Sequence, residues 1–185
     1  MKKSLLALTL GLATTLVGTA AFAADSTGQI NFTGNINANT CPIEPIDPGT
    51  GAPGPINLGS VSVIDFGGAT DKEVGGREFA LRIKDGAACA ITIGDMAKVR
   101  FDSTHGNAGT GGKYYAIQTG GATGVALAIN DNDGKHVDSG TQSKDYPLNA
   151  TGETRMIFNA KYRSTSVNVA QGPVIANVNF VVTLP

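Results

Sequence analysis

The sequence ends in Val174-Ile175-Ala176-Asn177-Val178-Asn179-Phe180-Val181-Val182-Thr183-Leu184-Pro185. Its even positions Val174, Ala176, Val178, Phe180, Val182 and Leu184 are all apolar, whereas Asn177, Asn179 and Thr183 stand among the odd ones with Val181. Successive side chains of an extended chain point to opposite faces, so this run predicts a strand that buries one whole face. It stops where the sequence stops.

The same period recurs upstream. Met156, Phe158, Ala160 and Tyr162 share one parity within Arg155 to Arg163, and Val125, Leu127 and Ile129 form another run, separated from Tyr115 and Ile117 by a Gly-rich turn. Phe79, Leu81 and Ile83 alternate with Ala80, Arg82 and Lys84. Cys89, Ile91 and Ile93 follow, then Val99 and Phe101. Ile56 to Phe66 also reads as strand, with a change of parity between Leu58 and Val61 that predicts a bulge or strand switch near Gly59-Ser60. No segment carries a 3.6-residue apolar period. Short alternating runs between Gly, Asn and Asp clusters indicate an all-β sandwich or barrel.

Two intervening stretches read as loops. Pro42 to Pro55 holds five prolines, which exclude a helix or a central strand and predict an exposed loop. Ser103 to Lys113 holds four glycines and predicts a mobile one.

The N-terminus has a different composition. Met1-Lys2-Lys3 precedes a short apolar run and an Ala21-Phe22-Ala23 site, the pattern of a signal peptide over residues 1–23, cleaved before Ala24. No later stretch reaches the roughly 18 apolar residues of a membrane span. Of 14 basic and 15 acidic residues, removal of Lys2 and Lys3 leaves a net charge of about −3 and no basic stripe, which argues against nucleic acid as a partner. In an exported chain, the two cysteines Cys41 and Cys89 are expected to form one disulfide rather than a metal site, since no His neighbours them.

Candidate chemistry is sparse. Asn130-Asp131-Asn132-Asp133-Gly134 resembles the start of a calcium loop but lacks the distal Glu, so an Asp-Gly hairpin turn is expected. His105 and His136 pair with no nucleophile motif, and the scattered carboxylates, Asp95 and Glu153 among them, suggest no catalytic pair. No enzymatic activity, metal or cofactor is expected. A periplasmic hydrolase lacks a constellation of residues, and a carbohydrate-binding module, the alternative reading, lacks the support of any Trp. Asn149-Ala150-Thr151 is a sequon match of three letters only.

One strand remains without a natural place. Gly28 to Ile36 alternates Ile30, Phe32, Gly34 and Ile36 against polar residues, close to the mature N-terminus and just ahead of the Pro-rich block. With this extension shortly before Cys41, the second cysteine after the Phe79-Leu81-Ile83 strand, the Phe158-Asn159-Ala160-Lys161-Tyr162 segment and Gly172 fourteenth from the end, the sequence resembles the pilins of the chaperone/usher pathway, type 1 fimbrial subunits in particular. It departs from that family in having Leu184 where a penultimate Tyr is usual, and in its Pro42 to Pro55 insert.

The resemblance implies an immunoglobulin-like sandwich lacking its last strand over residues 39–185, with residues 24–38 as a donor-strand extension. It further implies an acceptor groove beside Gly172, Val174, Ala176, Val178, Phe180, Val182 and Leu184. A periplasmic chaperone fills that groove first, and at the outer-membrane usher the extension of the next subunit replaces it through Ile30, Phe32 and Ile36, with Gly34 where the groove is shallow. The product is an extracellular fimbria that supports adhesion and biofilm formation.

Overall fold

The computed structural model describes residues 41–185. The expected signal peptide and the 24–38 extension, with Ile30, Phe32, Gly34 and Ile36, lie outside the described residues. Among those described, nine strands form two antiparallel sheets. The larger sheet runs in the order β1 (Ile43–Ile46), β2 (Glu73–Ile83), β8 (Thr154–Ser164), β6 (Val125–Asp131), β5 (Tyr114–Tyr115) and β4 (Asn107–Ala108). The smaller holds β7 (Tyr146–Pro147), β3 (Met96–Ser103) and β9 (Val178–Thr183).

The alternation read from the sequence places the core. Phe79, Leu81 and Ile83 of β2, Met156 and Phe158 of β8, Leu127 and Ile129 of β6, and Val99 and Phe101 of β3 fill one cluster between the sheets. Phe158 is its centre. Fully buried, it stacks on Phe79 at 5.6 Å and meets Phe101 edge-on at 4.9 Å and Tyr146 at 5.1 Å. Each such ring contributes about 1.5–3 kcal/mol by burial alone. The hydroxyl of the wholly buried Tyr115 donates to the Val137 carbonyl at 2.9 Å, which satisfies its one polar group.

Two apolar runs differ from expectation. Ile56 to Phe66 forms no strand: Val63–Phe66 is a 3₁₀ turn, because Ser62 and Asp65 make a reciprocal capping box, the Ser62 side chain accepting from Ile64 and the Asp65 carboxylate accepting from the Ser62 N–H at 2.8 Å. Ile91 is buried, but Ile93 is 96% exposed, because residues 85–95 are a chain of turns rather than a strand. The Asp131 carboxylate accepts from the backbone N–H groups of Asp133 and Lys135 at 2.9 Å, so this segment forms the expected turn.

The Pro-rich block is more ordered than a loop. Ile43–Ile46 pairs with β2 as the outermost strand of the larger sheet, a place that Pro45 allows because a proline has no N–H for a further ladder. The chain then folds back as a strap. Arg82 donates to Glu44 at 2.5 and 3.1 Å, Arg77 to Asp47 at 2.5 Å, and Arg155 to the Pro48 carbonyl at 3.2 Å. Arg82, joined by Lys84, holds the Glu44 carboxyl below its ordinary 4.5, and Arg77, joined by the Gly49 N–H, holds Asp47 below 3.8.

A disulfide joins Cys41 to Cys89, with Cα atoms 4.9 Å apart and a sequence separation of 48. It ties the start of the strap to the turns that follow β2.

Two outcomes are expected. Replacing both cysteines by Ala lowers unfolding stability by about 4 kcal/mol on the loop-entropy estimate, read as a lower urea midpoint with a somewhat steeper slope, since the uncrosslinked denatured chain exposes more surface. Because Glu44 and Asp47 titrate lower when folded than unfolded, their contribution is present above pH 4.5 and is lost as pH falls through the depressed values. An E44Q/D47N variant is therefore less stable than the parent at about pH 6, and the gap narrows as pH falls through the depressed values, as a series of urea titrations downward from about pH 6 can check.

Candidate functional site

The C-terminal run keeps its expected parity. Val174, Ala176, Val178, Phe180, Val182 and Leu184 are half-buried, and every odd position from Ile175 to Pro185 is exposed. None of the six reaches the complete burial of Met156 or Phe158. The difference lies in their neighbours. β8 is paired on both sides, by β2 and β6, whereas β9 pairs only with β3 among the described residues.

Ladder pairing is shorter than the alternation, beginning at Val178 rather than Val174. Residues 173–177 are held instead by single bonds to loops on the β3 side. The carbonyls of Pro173, Ile175 and Asn177 accept from the N–H groups of Ala122, Gln118 and Thr104 at 3.0, 2.7 and 3.0 Å. Carbonyls two residues apart in an extended chain point to one edge, so the intervening backbone groups face the other. A free edge thus runs from Val174 to Thr183.

Gly172 begins this segment for a steric reason. A Cβ there would sit 2.5 Å from the Ala122 nitrogen and 2.7 Å from the Gly121 carbonyl carbon, so no side chain fits without moving backbone.

Opposite the free edge lies the end of the strap, residues 55–61, which form no backbone–backbone hydrogen bond among the described residues. Ile56, Leu58 and Val61 are half-buried and turn inward. Between the two walls opens a groove of about 760 Å³, floored by Phe79, Leu81, Phe101, Leu127, Ile129 and Ala160. At one end it meets the cluster of Phe66, Val125 and Tyr162. Burial pushes the Tyr162 phenol above 10.0, and its hydroxyl donates to the Gly59 carbonyl at 2.6 Å.

The groove therefore brings together two unpaired backbone edges and an apolar floor. Chemically it offers main-chain donors and acceptors along its length and pockets for alternate apolar side chains, the requirements for one added strand. Six of the expected acceptor residues, Gly172, Val174, Ala176, Val178, Phe180 and the edge-forming Val182, lie along one wall or its continuation. Leu184 packs against the main core at the far end. The opposite wall was not identified from the sequence as part of a site. Its signal was the parity change at Gly59-Ser60, which marks where the wall turns.

The other candidates are separate from the groove. His105 is exposed, and His136 packs on Tyr114 at 4.8 Å, with its ring nitrogens 3.2 Å from the Asn130 side-chain oxygen and the Lys113 carbonyl. Among the described residues no three His, Cys, Asp or Glu side chains converge as a metal site. No helix among them is long and apolar enough to cross a membrane.

The family model described as "Fimbrial protein" matches residues 30–184. The chain is 31% identical over 181 residues to Long polar fimbria protein A of Salmonella typhimurium, covering 97% of this chain and 95% of the relative. It is also 31% identical over 163 residues to Protein LpfE of the same organism, covering 85% and 84%. Among solved structures it is similar to the antigen and type I fimbria protein BPSL1626 of Burkholderia pseudomallei, at 26% identity and a TM-score of 0.55 over 72% of this chain and 84% of that one. A chaperone-usher pilus structure shares the fold at 20% identity and a TM-score of 0.60, over 87% and 97%. With a sequence match that spans both the sandwich and its open groove, the chain belongs to the fimbrial protein family.

Proposed function

We propose that the groove is completed by residues 28–36 of another subunit, so that copies of this chain or related subunits link head to tail. As a fimbrial protein the chain is a structural subunit of a surface fimbria, exported through the periplasm. The observation that carries the exchange reading is the pair of facing, unpaired edges over an apolar floor. A free edge of about ten residues at roughly 3.3 Å each spans about 33 Å, and the nine residues from Gly28 to Ile36 extend to about 30 Å.

Ile30, Phe32 and Ile36 enter the groove as apolar plugs, together offering about 5–8 kcal/mol of burial before main-chain bonds are added. Gly34 lets the backbones approach where the groove is shallow. The half-buried residues from Val174 to Leu184, with Gly172 at the start of the segment, form the receiving wall. Before assembly the same hydrophobic opening is an aggregation hazard, and a periplasmic chaperone lends it a strand until the outer-membrane usher exchanges it. The role is structural rather than enzymatic. Residues 1–23 direct export, and residues 24–38 belong to the neighbour's core once the fibre forms.

Two measurements test this. Surface-sheared material runs as a ladder in SDS without boiling and collapses to monomer on boiling; monomer in both lanes refutes polymerisation by exchange. Substituting Gly34→Leu leaves the oxidised, folded subunit in the periplasm but abolishes the ladder, and normal fibre yield from that variant removes Gly34 from the assigned role.

A further inference from the structure

Among the described residues the wall formed by residues 55–61 has no ladder to hold it, yet to receive one strand it must stand about two strand spacings, roughly 9.6 Å, from the free edge of β9. Among the described residues its polar attachment to the floor is a single contact, the Tyr162 hydroxyl donating to the Gly59 carbonyl at 2.6 Å. We propose that Tyr162 is a positioning residue for strand capture: its hydroxyl fixes the turn at Gly59 and so sets the spacing of the groove wall. This inference rests on the strand-exchange reading and assigns a residue to it.

Tyr162 is suited to the role because it cannot easily move. Its backbone is paired on both sides, to Val74 in β2 and to Leu127 in β6, and its side chain is 8% exposed. β2 makes room for the contact. Its register shifts between Val74 and Arg77, and Gly75 has a positive φ of +64°. A Cβ at Gly75 would stand 2.7 Å from Val61 and 3.5 Å from the Tyr162 ring. The bulge thus opens a notch in which the wall and the tyrosine meet.

The wall, for its part, turns at the point of contact. Gly59 has a φ of +73°, and its N–H is held by the Asn57 side chain at 2.9 Å. That turn is the physical origin of the parity change between Leu58 and Val61. It directs the Gly59 carbonyl toward the floor while Ile56 and Leu58 keep facing the groove. Without the hydroxyl the ring still packs against Phe66 and Val125, so the change falls on the wall's position rather than on the core.

The test uses the mature oxidised chain and a fluorescein-labelled peptide of residues 28–36, with affinity and dissociation rate read by anisotropy and the thermal midpoint read without peptide. Y162F is expected to weaken peptide binding about fivefold to tenfold, chiefly through faster dissociation, the size of one hydrogen bond. N57A, which loosens the same turn from its exposed side and leaves the tyrosine in place, is expected to weaken binding several-fold and keeps the test decisive should Y162F fold poorly. Equal peptide affinity in either folded variant and the parent overturns the proposal, whatever the thermal midpoint does. No binding of the peptide to the parent chain overturns the strand-exchange reading, and the proposal with it.

Discussion

A β-strand paired on one side only is the constraint on which the rest of this structure depends. β9 donates and accepts toward β3 and offers its other edge to the groove, where its own inward residues stay half-buried while the core side chains that floor the groove are buried. Unpaired main-chain groups and half-buried apolar side chains each carry a free-energy cost, and this segment retains both over ten residues beside the groove. The strap, the disulfide and the Gly172 contact all act on the rims of that groove. Cys41–Cys89 anchors the beginning of the strap, the arginines of β2 and β8 hold its middle, and Tyr162 holds its end.

The groove is thus built from parts distant in sequence but few in kind. One rim is a continuous C-terminal segment, tethered by alternate carbonyls to loops after β3 and β5. The other is residues 55–61, which follow the Pro-rich block, lie outside the ladder and take their place from the ion pairs that hold that block and from one buried hydroxyl. The first rim is defined by sheet pairing, the second by side chains. The inserted block is therefore part of the site rather than an ornament beside it.

Much of this was legible in the sequence. The even residues from Val174 to Leu184 face inward as their alternation requires, and the inward positions of β2 and β8 follow from Phe79-Leu81-Ile83 and Met156-Phe158-Ala160-Tyr162. The cysteine pairing followed from there being two in an exported chain. What was not legible depended on local competition or distant partners. Ser62 and Asp65 divert an apolar run into a 3₁₀ turn, and the signal lay in their spacing of three, beneath a stronger alternation. Ile93 shares its parity with buried Ile91 but belongs to a turn that points it outward. The order within Pro42 to Pro55 rests on Arg77, Arg82 and Arg155, which no local pattern associates with it. The meaning of Gly172 required Ala122, fifty residues earlier, to be placed against it.

The proline on β1 bears on the geometry of growth. β1 is an outermost strand of the larger sheet, and Pro45 within it has no N–H to offer a neighbour, while the opposite border, β4, is only two residues long. Among the described residues, then, β9 presents the long edge able to accept another chain. Under the proposed exchange, a subunit with one acceptor edge and one strand to give has a valence of two. Its copies would then extend a line without branching it, and the poor edges elsewhere on the sandwich would keep the fibre a single thread.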